Sequence, residues 1–400
     1  MDVSCPVLDT LRVIPCRGGT LPSLTEHIKA SARDLGFAPV GVTPAEPPEH
    51  RSFYLDWLGL GYGGEMGYLE RNLDRRFDPR CVLPNARSVL CVGMNYEPKT
   101  REVEDVPASS GKISRYARGD DYHHVIGKRL HALLEEIRKL EPDTEGKVYV
   151  DTGPVLERDL AARAGLGWFG KNTNLINKER GSWFFLGEIF LSLELDYDRP
   201  ETDHCGTCNL CIEACPTEAI REPYLLDSRQ CISYLTIELK GSIPEHLRAG
   251  MGDWIYGCDI CQEVCPWNEK HAEPTDEFAY QPREGRSPAD LHELLQLDQA
   301  GFSGRFNGSP IKRAKRRGLL RNVAVAIGNQ GRTEDIGVLG AALSDPEPLV
   351  RGHSAWALGQ IGGEAAVRAL GSAMESEPDS EVIKEIRSAL REAEGETREE

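Results

Sequence analysis

Eight cysteines between positions 205 and 265 have the spacing that most clearly indicates chemistry in this sequence. The first run reads Cys205-x2-Cys208-x2-Cys211-x3-Cys215-Pro216, which is typical of chains that hold a cubane [4Fe–4S] cluster. Thiolates are soft ligands, and such tight spacing wraps one chain around three corners of a cluster. A zinc knuckle or a redox dithiol is the alternative, but neither of these sites usually has four cysteines at this spacing followed by a proline.

A second run, Cys258-x2-Cys261-x3-Cys265-Pro266, lacks its leading cysteine, because Ile255 stands where that residue would align. Cys231 is the nearby candidate for the gap. In two-cluster ferredoxins the fourth cysteine of each run binds the other cluster. The predicted ligands are therefore Cys205, Cys208, Cys211 and Cys265 for cluster one, and Cys258, Cys261, Cys215 and Cys231 for cluster two.

Two adjacent clusters form a path that transfers one electron at a time. Such a path must end at a reactive group or at another protein. The long segment before Cys205 exceeds what a ferredoxin needs, so the sequence favours an enzyme with its active site in that segment. The remaining cysteines are interpreted as ordinary reduced thiols: Cys5, Cys16, Cys81 and Cys91.

The composition excludes several other classes of protein. The 400 residues are 40% hydrophobic, which is enough for real cores, and they hold no apolar run long enough for a membrane span. The segment Met1–Arg17 has no secretory pattern, so we expect a cytoplasmic protein whose twelve cysteines serve metal or redox chemistry. The net charge of -17 means that any nucleic-acid binding must come from a local basic patch.

The elements around these motifs predict an α+β protein of three parts. Ser23 and Glu26 form a capping pair before a helix, and another amphipathic helix covers the apolar positions from Val125 to Leu140. Predicted strands are 37–42, 88–94, 147–150 and 182–195, with a helix at 155–164. Near the end, RNVAVAIGNQG (321–331) is echoed by RGHSAWALGQIG (351–362), which is typical of HEAT repeats. The predicted domains are 1–198, 199–285 and 286–400.

A cofactor motif is harder to find in the first domain. The glycines at 61–64 do not follow a clear strand, so a nucleotide-binding loop is poorly supported. A cobalamin motif of the Asp-x-His-x-x-Gly type begins at Asp121 and His123 but fails at Ile126. His123 and His124 are therefore predicted to lie at a helix start or in a pocket rather than on cobalt.

Three segments resemble the epoxyqueuosine reductase family: VDTGPVLER (150–158), AGLGWFGKNT (164–173) and GSWFFLGE (181–188). Residues 113–117, residues 121–123 and the order of the eight cysteines also match, so the resemblance covers roughly residues 20 to 390. It implies a cobalamin-dependent reductase with two [4Fe–4S] clusters, which removes the epoxide oxygen of epoxyqueuosine in tRNA to give queuosine. The implied fold has a nitroreductase-like cobalamin domain, a ferredoxin-like domain and HEAT-like helices.

The resemblance also implies site residues. Asp151 is expected to be the proton donor, with a pKa raised by burial beside an apolar corrin; a turn residue is the alternative. Leu175, Ile176 and Leu186 are expected to line the corrin, although they could equally be core residues. Arg76 and Arg115 are expected to reach its amides or phosphate, with surface ion pairing as the alternative. The implied cobalamin has no protein histidine on cobalt, in agreement with the failed motif.

A basic segment supplies a place for tRNA to bind. Its cations are Lys312, Arg313, Lys315, Arg316, Arg317 and Arg321, with no acidic residue between them. Such a run could track phosphates, although a solvated helix face is the alternative. We also expect an unidentified electron donor and a monomer. Two competing interpretations are a corrinoid reductive dehalogenase and an iron–sulfur electron-transfer adaptor.

Overall fold

A computed structural model describes residues 23–99 and 106–393. Cys5, Cys16 and the segment Met1–Arg17 lie outside the described residues. The strands, in chain order, are β1 (Val40–Pro44), β2 (Ser88–Asn95), β3 (Ser110–Ile113), β4 (Gly146–Tyr149), β5 (Trp168–Phe169), β6 (Leu175–Ile176), β7 (Phe184–Leu191), β8 (Ile220–Glu222), β9 (Leu225–Leu226), β10 (Trp254–Tyr256) and β11 (Ala289–Asp290).

The helices of the first two thirds are α1 (Leu24–Asp34), α2 (Arg51–Gly59), α3 (Leu73–Phe77), α4 (Pro79–Val82), α5 (Tyr122–Leu140), α6 (Glu157–Arg163), α7 (Leu210–Glu213), α8 (Ile232–Ile237), α9 (Glu245–Arg248), α10 (Ile260–Glu263) and α11 (Pro266–His271). The last third contains α12 (Leu291–Leu295), α13 (Gln299–Arg305), α14 (Lys315–Gln330), α15 (Ile336–Ala342), α16 (Pro348–Ile361), α17 (Gly363–Met374) and α18 (Ser380–Ala393). The predicted α+β class is confirmed. Among the described helices, none is both long and apolar enough to cross a membrane.

A four-stranded antiparallel sheet forms the core of the first part, in the order β1-β2-β7-β4. All four strands predicted from the sequence fall in this sheet. Alternate residues of β2 point to opposite faces, so Leu90 and Val92 pack in the same core as α5, whereas Val89 and Cys91 pack with α6. Helices therefore cover both faces, which explains why β2 is one continuous apolar run.

A smaller sheet ties the parts of the chain together. In it β3 pairs with β10 in parallel and with β11 antiparallel. These three strands come from the three predicted domains, so the domains share backbone hydrogen bonds. The division at 198 and 285 stays a prediction.

The last five helices, α14 to α18, stack as the repeats predict. Glycines at equivalent points of the repeat allow the close approach, because a Cβ on Gly328 would lie 2.9 Å from the Ala357 Cα. The contact between α16 and α18 is equally close, since a Cβ on Gly359 would lie 2.8 Å from the Ala389 Cα. Small residues at these points let α14, α16 and α18 pack side by side.

Candidate active site

A cavity of about 1130 Å³ lies where the loop after β4, the start of α5 and the segment before α14 meet. Its wall includes the aromatic side chains of Tyr54, Trp57, Tyr68 and Phe169, and its polar groups are concentrated near Asp151. A large, partly aromatic cavity with a few convergent polar groups is the usual form of a cofactor site.

Asp151 follows β4 in a left-handed conformation, with φ +55°, which costs a non-glycine residue about 1–2 kcal/mol. Its carboxyl opens into the cavity, with 56% of the side chain accessible. The Tyr122 hydroxyl donates a hydrogen bond of 2.8 Å to Oδ2 of Asp151. His123 Nε2 lies 3.3 Å from the same oxygen, and its Nδ1 lies 2.7 Å from Asp121 Oδ1. The first turn of α5 therefore holds the carboxyl in place.

These contacts determine where the proton resides. Asp151 lies deep within the protein although it is open to the cavity, and burial pushes its pKa upward. The hydrogen bonds from His123 and Tyr122 outweigh burial, so the pKa of Asp151 is lowered. Burial lowers the pKa of His123, but Asp121 and Asp151 raise it to a net value of about 9. The expected raised pKa of Asp151 is therefore wrong for this arrangement, because the ion pair keeps the proton on the imidazole.

A second acidic group, missed from the sequence, lies behind Asp151. Glu157, at the start of α6, accepts a hydrogen bond from the backbone N–H of Asp151. Its carboxyl interacts with that of Glu188 on β7, which is completely buried. Burial, with the charge of Asp151 adding to it, raises the pKa of Glu157 to about 8. A glutamate inside the apolar run SWFFLGEIFLSL was the sequence signal for this pair.

The residues expected to bind the cofactor do not all converge. Arg76 lines the cavity beside Asp151 and donates to the Val155 carbonyl at 3.3 Å. Arg115 instead pairs with Glu97 and Glu263 and lies over the Trp183 ring, outside the cavity wall. Its charge is already compensated by these two carboxylates, which favours the alternative of ion pairing, and a corrin contact stays a prediction.

The three aliphatic residues expected at the corrin also lie elsewhere. Leu175 and Leu186 pack in the core beneath α6, and Ile176 lies at a second cavity, beside the cysteines. None of the three lines the large cavity. The β5–β6 hairpin directs Leu175 and Ile176 into the protein, and Leu186 on β7 packs against the same core as Leu175. The structure therefore favours the alternative of core packing for all three.

Four cysteines surround that second cavity, which has a volume of about 260 Å³: Cys205, Cys208, Cys211 and Cys265. The other four form a second group around Cys261. Burial raises the pKa of the Cys261 thiol, and Cys231, Cys258, Cys211 and Cys215 add to the rise. Among the described residues, no three histidine, cysteine or carboxylate side chains are arranged to hold a single metal ion. The two groups match the crossed arrangement of two-cluster ferredoxins.

One turn contacts both cysteine groups. The buried Lys171 ammonium donates to the carbonyls of Gly206 and Cys208, at 2.8 and 2.9 Å, in the loop of the first group. Asn174 Nδ2 lies 3.9 Å from Cys261 Sγ in the second group. Between them, Thr173 lines the large cavity. The turn 170–174 therefore connects the cysteine region to the cavity wall.

The basic segment divides into exposed and buried residues. Lys312, Arg313 and Lys315 are exposed, and Arg317 is partly exposed. Lys312 and Arg313 also line the mouth of the large cavity, where Arg313 donates to Glu238 at 2.6 Å. These four residues form a basic patch beside the cavity.

Arg316 and Arg321 correct the prediction. Arg316 is buried and paired with Asp345. Arg321 is completely buried, and its guanidinium donates to the carbonyls of Leu235, Leu239 and Gly241. Both side chains fasten α14 to its neighbours and cannot reach a phosphate, because the turn of the helix directs them inward.

Comparison with family models agrees with this arrangement. Residues 76–152 match the model described as epoxyqueuosine reductase QueG, DUF1730. Residues 204–268 match a 4Fe-4S double cluster binding domain, and residues 312–391 match HEAT repeats. The two cysteine groups therefore belong to a domain that binds two iron–sulfur clusters, and the repeat prediction is confirmed.

Curated relatives and solved structures extend along most of the chain. An epoxyqueuosine reductase of Xanthomonas campestris is 44% identical over 340 residues, covering 84% of this chain and 96% of the relative. That of Escherichia coli K12 is 41% identical, covering 85% and 90%. A crystal structure of a selenomethionine-labelled epoxyqueuosine reductase aligns with a TM-score of 0.88 at 30% identity, covering 92% and 99%.

Two further solved structures of relatives align with this chain. One is an epoxyqueuosine reductase with an epoxyqueuosine-modified tRNA-Tyr stem loop, with a TM-score of 0.87 at 30% identity and coverage of 93% and 99%. The other, from Bacillus subtilis, has its catalytic aspartate loop swung out of the active site; its TM-score is 0.86 at 30% identity, with coverage of 92% and 98%. On these findings, the chain belongs to the epoxyqueuosine reductase family of oxidoreductases.

Proposed function

We propose that this enzyme removes the epoxide oxygen of epoxyqueuosine in tRNA, with cobalamin in the large cavity, electrons from two [4Fe–4S] clusters and protons delivered through Asp151. One observation carries the proposal. The cavity wall brings together Asp151, the turn that contacts both cysteine groups, and the basic residues Lys312 and Arg313. A proton donor, an electron route and a phosphate-binding patch therefore meet at one cavity.

The residues of the cavity fit a corrinoid. Buried Nε of Arg76 has no hydrogen-bond partner among the described residues, so it suits an amide or phosphate oxygen of the cofactor. Both histidines in the wall are engaged by carboxylates, since His50 lies 2.6 Å from Asp159 and His123 lies between Asp121 and Asp151. This supports a cofactor held without imidazole on cobalt. When bound, the corrinoid supplies the reducing chemistry.

The ion pair of His123 and Asp151 supplies a proton for the reaction. Loss of an epoxide oxygen as water consumes two electrons and two protons. His123 carries a proton at neutral pH and contacts the Asp151 carboxylate, so it supplies the proton that Asp151 passes to the epoxide oxygen. The relative from Bacillus subtilis, described with a catalytic aspartate loop, supports this role. Tyr122 holds the carboxyl toward the cavity.

Binding of tRNA is assigned to the basic patch Lys312, Arg313, Lys315 and Arg317. The relative bound to a modified tRNA stem loop supports this substrate. Phosphates on the patch would fix the position of the RNA, and an unstacked wobble nucleotide would enter the cavity. The domain division, the electron donor, a cytoplasmic location and a monomeric state remain predictions. A dehalogenase or an adaptor loses support, because epoxyqueuosine reductases match the chain almost end to end.

The test is anaerobic incubation of the cluster-loaded protein with reductant, cobalamin and epoxyqueuosine-containing tRNA, followed by mass analysis of the nucleosides. Queuosine is expected with cobalamin and not without it. Unchanged epoxyqueuosine, in a preparation shown to hold eight irons and the corrinoid, would contradict the proposal. An adaptor would bind iron but neither the corrinoid nor tRNA.

A further inference from the structure

Glu188 is the charged group whose position the activity does not yet explain. It lies on the central strand β7 and is completely inaccessible to solvent. No N–H or hydroxyl group of the described residues donates to either of its carboxyl oxygens. An ionised carboxylate without a donor is very costly to bury. Glu188 must therefore be neutral or share a proton.

The carboxyl of Glu157, on α6 where that helix packs against β7, is the charged group that acts most strongly on Glu188. Two carboxyls in contact cannot both be ionised, and such pairs share a proton. Burial raises the pKa of Glu157 to about 8 and that of Glu188 well above its ordinary value. At neutral pH the pair therefore keeps at least one proton.

The groups that surround this acid pair do not neutralise it. Cys91 on β2 and Tyr149 on β4 lie opposite Glu188 in the sheet register. From α6, Arg158 lies nearby but donates to the Thr173 carbonyl. On the cavity side are the Asp151 carboxylate and the His123 imidazolium, which pair with each other. Farther along α6, Asp159 and Arg163 form their own ion pair at 3.0 Å.

Glu157 is the member of the pair that faces the cavity. It belongs to the cavity wall, and its Oε1 accepts the backbone N–H of Asp151. His123 approaches the side chain of the same aspartate. Two groups that hold a proton therefore adjoin Asp151: His123 at its carboxyl and Glu157 at its backbone N–H. The reaction consumes two protons.

We propose that Glu157 delivers the second proton of epoxide removal, and that Glu188 is a positioning residue that keeps Glu157 protonated. This inference rests on the proposed function. The first proton, through Asp151, converts the epoxide oxygen to a hydroxyl as one C–O bond breaks. The second, from Glu157, lets that oxygen leave as water as the other C–O bond breaks and the double bond forms. The two electrons come from the reduced clusters, and solvent reprotonates Glu157 through the open cavity.

The protonation of the pair is tested by infrared spectroscopy of the cluster-loaded full chain over a pH series. A protonated-carboxyl band is expected to persist to about pH 8, well above the range of ordinary glutamates. The band should be lost in the E157Q/E188Q double variant and kept in E179Q, which changes an exposed glutamate. Absence of the band from the wild-type protein above pH 6 would overturn the proposal.

The delivery of the proton is tested by single-turnover rates of epoxyqueuosine loss against pH. The wild-type rate should fall as pH rises through about 8, because the donor is then ionised. E157Q should be about 100-fold slower and should lack this limb. E188Q should move the limb to lower pH, since the glutamine amide donates to the Glu157 carboxylate and favours its ionised form. E179Q should stay within about twofold of wild type.

Each failure has its own signature. A limb that stays in place in both E157Q and E188Q would overturn the role in proton delivery, even if both variants are slow. If E188Q fails to take up iron, the cavity-side variant E157Q decides alone. If the wild-type protein converts no epoxyqueuosine, the proposed function fails and the second-proton assignment with it, while the infrared band still decides whether the pair is protonated.

Discussion

The imidazole of His123 lies between two carboxylates, with Nδ1 2.7 Å from Asp121 Oδ1 and Nε2 3.3 Å from Asp151 Oδ2. Asp121 is the N-cap of α5, so the helix start fixes the ring. The arrangement makes the histidine a cation and Asp151 an anion at neutral pH. Asp151 needs a proton before it can act as an acid, and His123, which carries that proton, lies in contact with it.

Replacing Asp151 with asparagine should abolish turnover without disturbing the rest of the site. Asparagine keeps the size and accepts the Tyr122 hydrogen bond, but it carries no transferable proton. A loss of about 10²–10⁴-fold is expected, as for other general acids. The measurement is single-turnover formation of queuosine, with iron content, corrinoid uptake and tRNA affinity as controls. Activity like that of wild type would remove Asp151 from the mechanism.

Replacing His123 with glutamine should slow the reaction and change its pH dependence. The imidazolium supplies the proton that Asp151 transfers, so above the fall near pH 8 expected from Glu157 the wild-type rate should fall again as pH rises through about 9, where the ring loses its proton. This second fall should persist in E157Q. In H123Q the pKa of Asp151 should rise, because its main lowering partner is gone. The rate should then decline at lower pH than in wild type, by at least about tenfold at pH 8.

His124 provides the matched control for H123Q, because it is exposed on the same helical turn. H124Q should reproduce the wild-type pH profile. If H123Q keeps the wild-type profile as well, then His123 only fills space, and Asp151 receives its proton from another source.

Much of the site could be predicted from the sequence because it depends on local spacing. The cysteine runs specify their own grouping, and the apolar runs of β2 and β7 mark the buried strands. The histidine at 123 was correctly expected at a helix start or in a pocket, since Asp121 is a strong cap. Each of these features is determined within a few residues of chain.

Features that depend on distant partners could not be predicted. Arg321 is one cation in a basic run by sequence, but in the fold it meets carbonyls about 80 residues earlier in the chain. Arg115 is neutralised by Glu263, which is 148 residues away. Glu157 and Glu188 meet only because α6 packs against β7. In each case a tertiary contact, rather than the local pattern, decides what the side chain binds.

Neutralising the basic patch should weaken tRNA binding and flatten its salt dependence. In a K312Q/K315Q/R317Q variant, the slope of log affinity against log salt should fall by roughly 0.7–0.9 for each phosphate contact removed. Filter binding of a modified stem loop at several salt concentrations measures this. An unchanged slope would place the RNA elsewhere on the protein.

Arg321 should behave differently from the exposed cations. R321M removes hydrogen bonds to three buried carbonyls, so it should lower the free energy of unfolding by about 2–4 kcal/mol. The salt slope of tRNA binding should stay as in wild type, because this side chain does not reach the surface. Denaturant unfolding and the same binding assay separate the two effects. A reduced slope in R321M would return Arg321 to the RNA-binding patch.

Asn174 should tune the second iron–sulfur cluster. Its amide Nδ2 lies 3.9 Å from Cys261 Sγ, and hydrogen bonds to cluster sulfurs raise the reduction potential because they stabilise the more negative, reduced state. N174A should therefore lower the potential of the cluster bound by Cys261, with iron content unchanged. Redox titration followed by electron paramagnetic resonance measures the shift. N307A, which changes an exposed asparagine far from the cysteines in sequence, should leave both potentials unchanged. Equal potentials in N174A and wild type would mean that the amide does not reach the sulfur, so the turn would contact the cysteine loops only at their carbonyls, through Lys171 and Asn172.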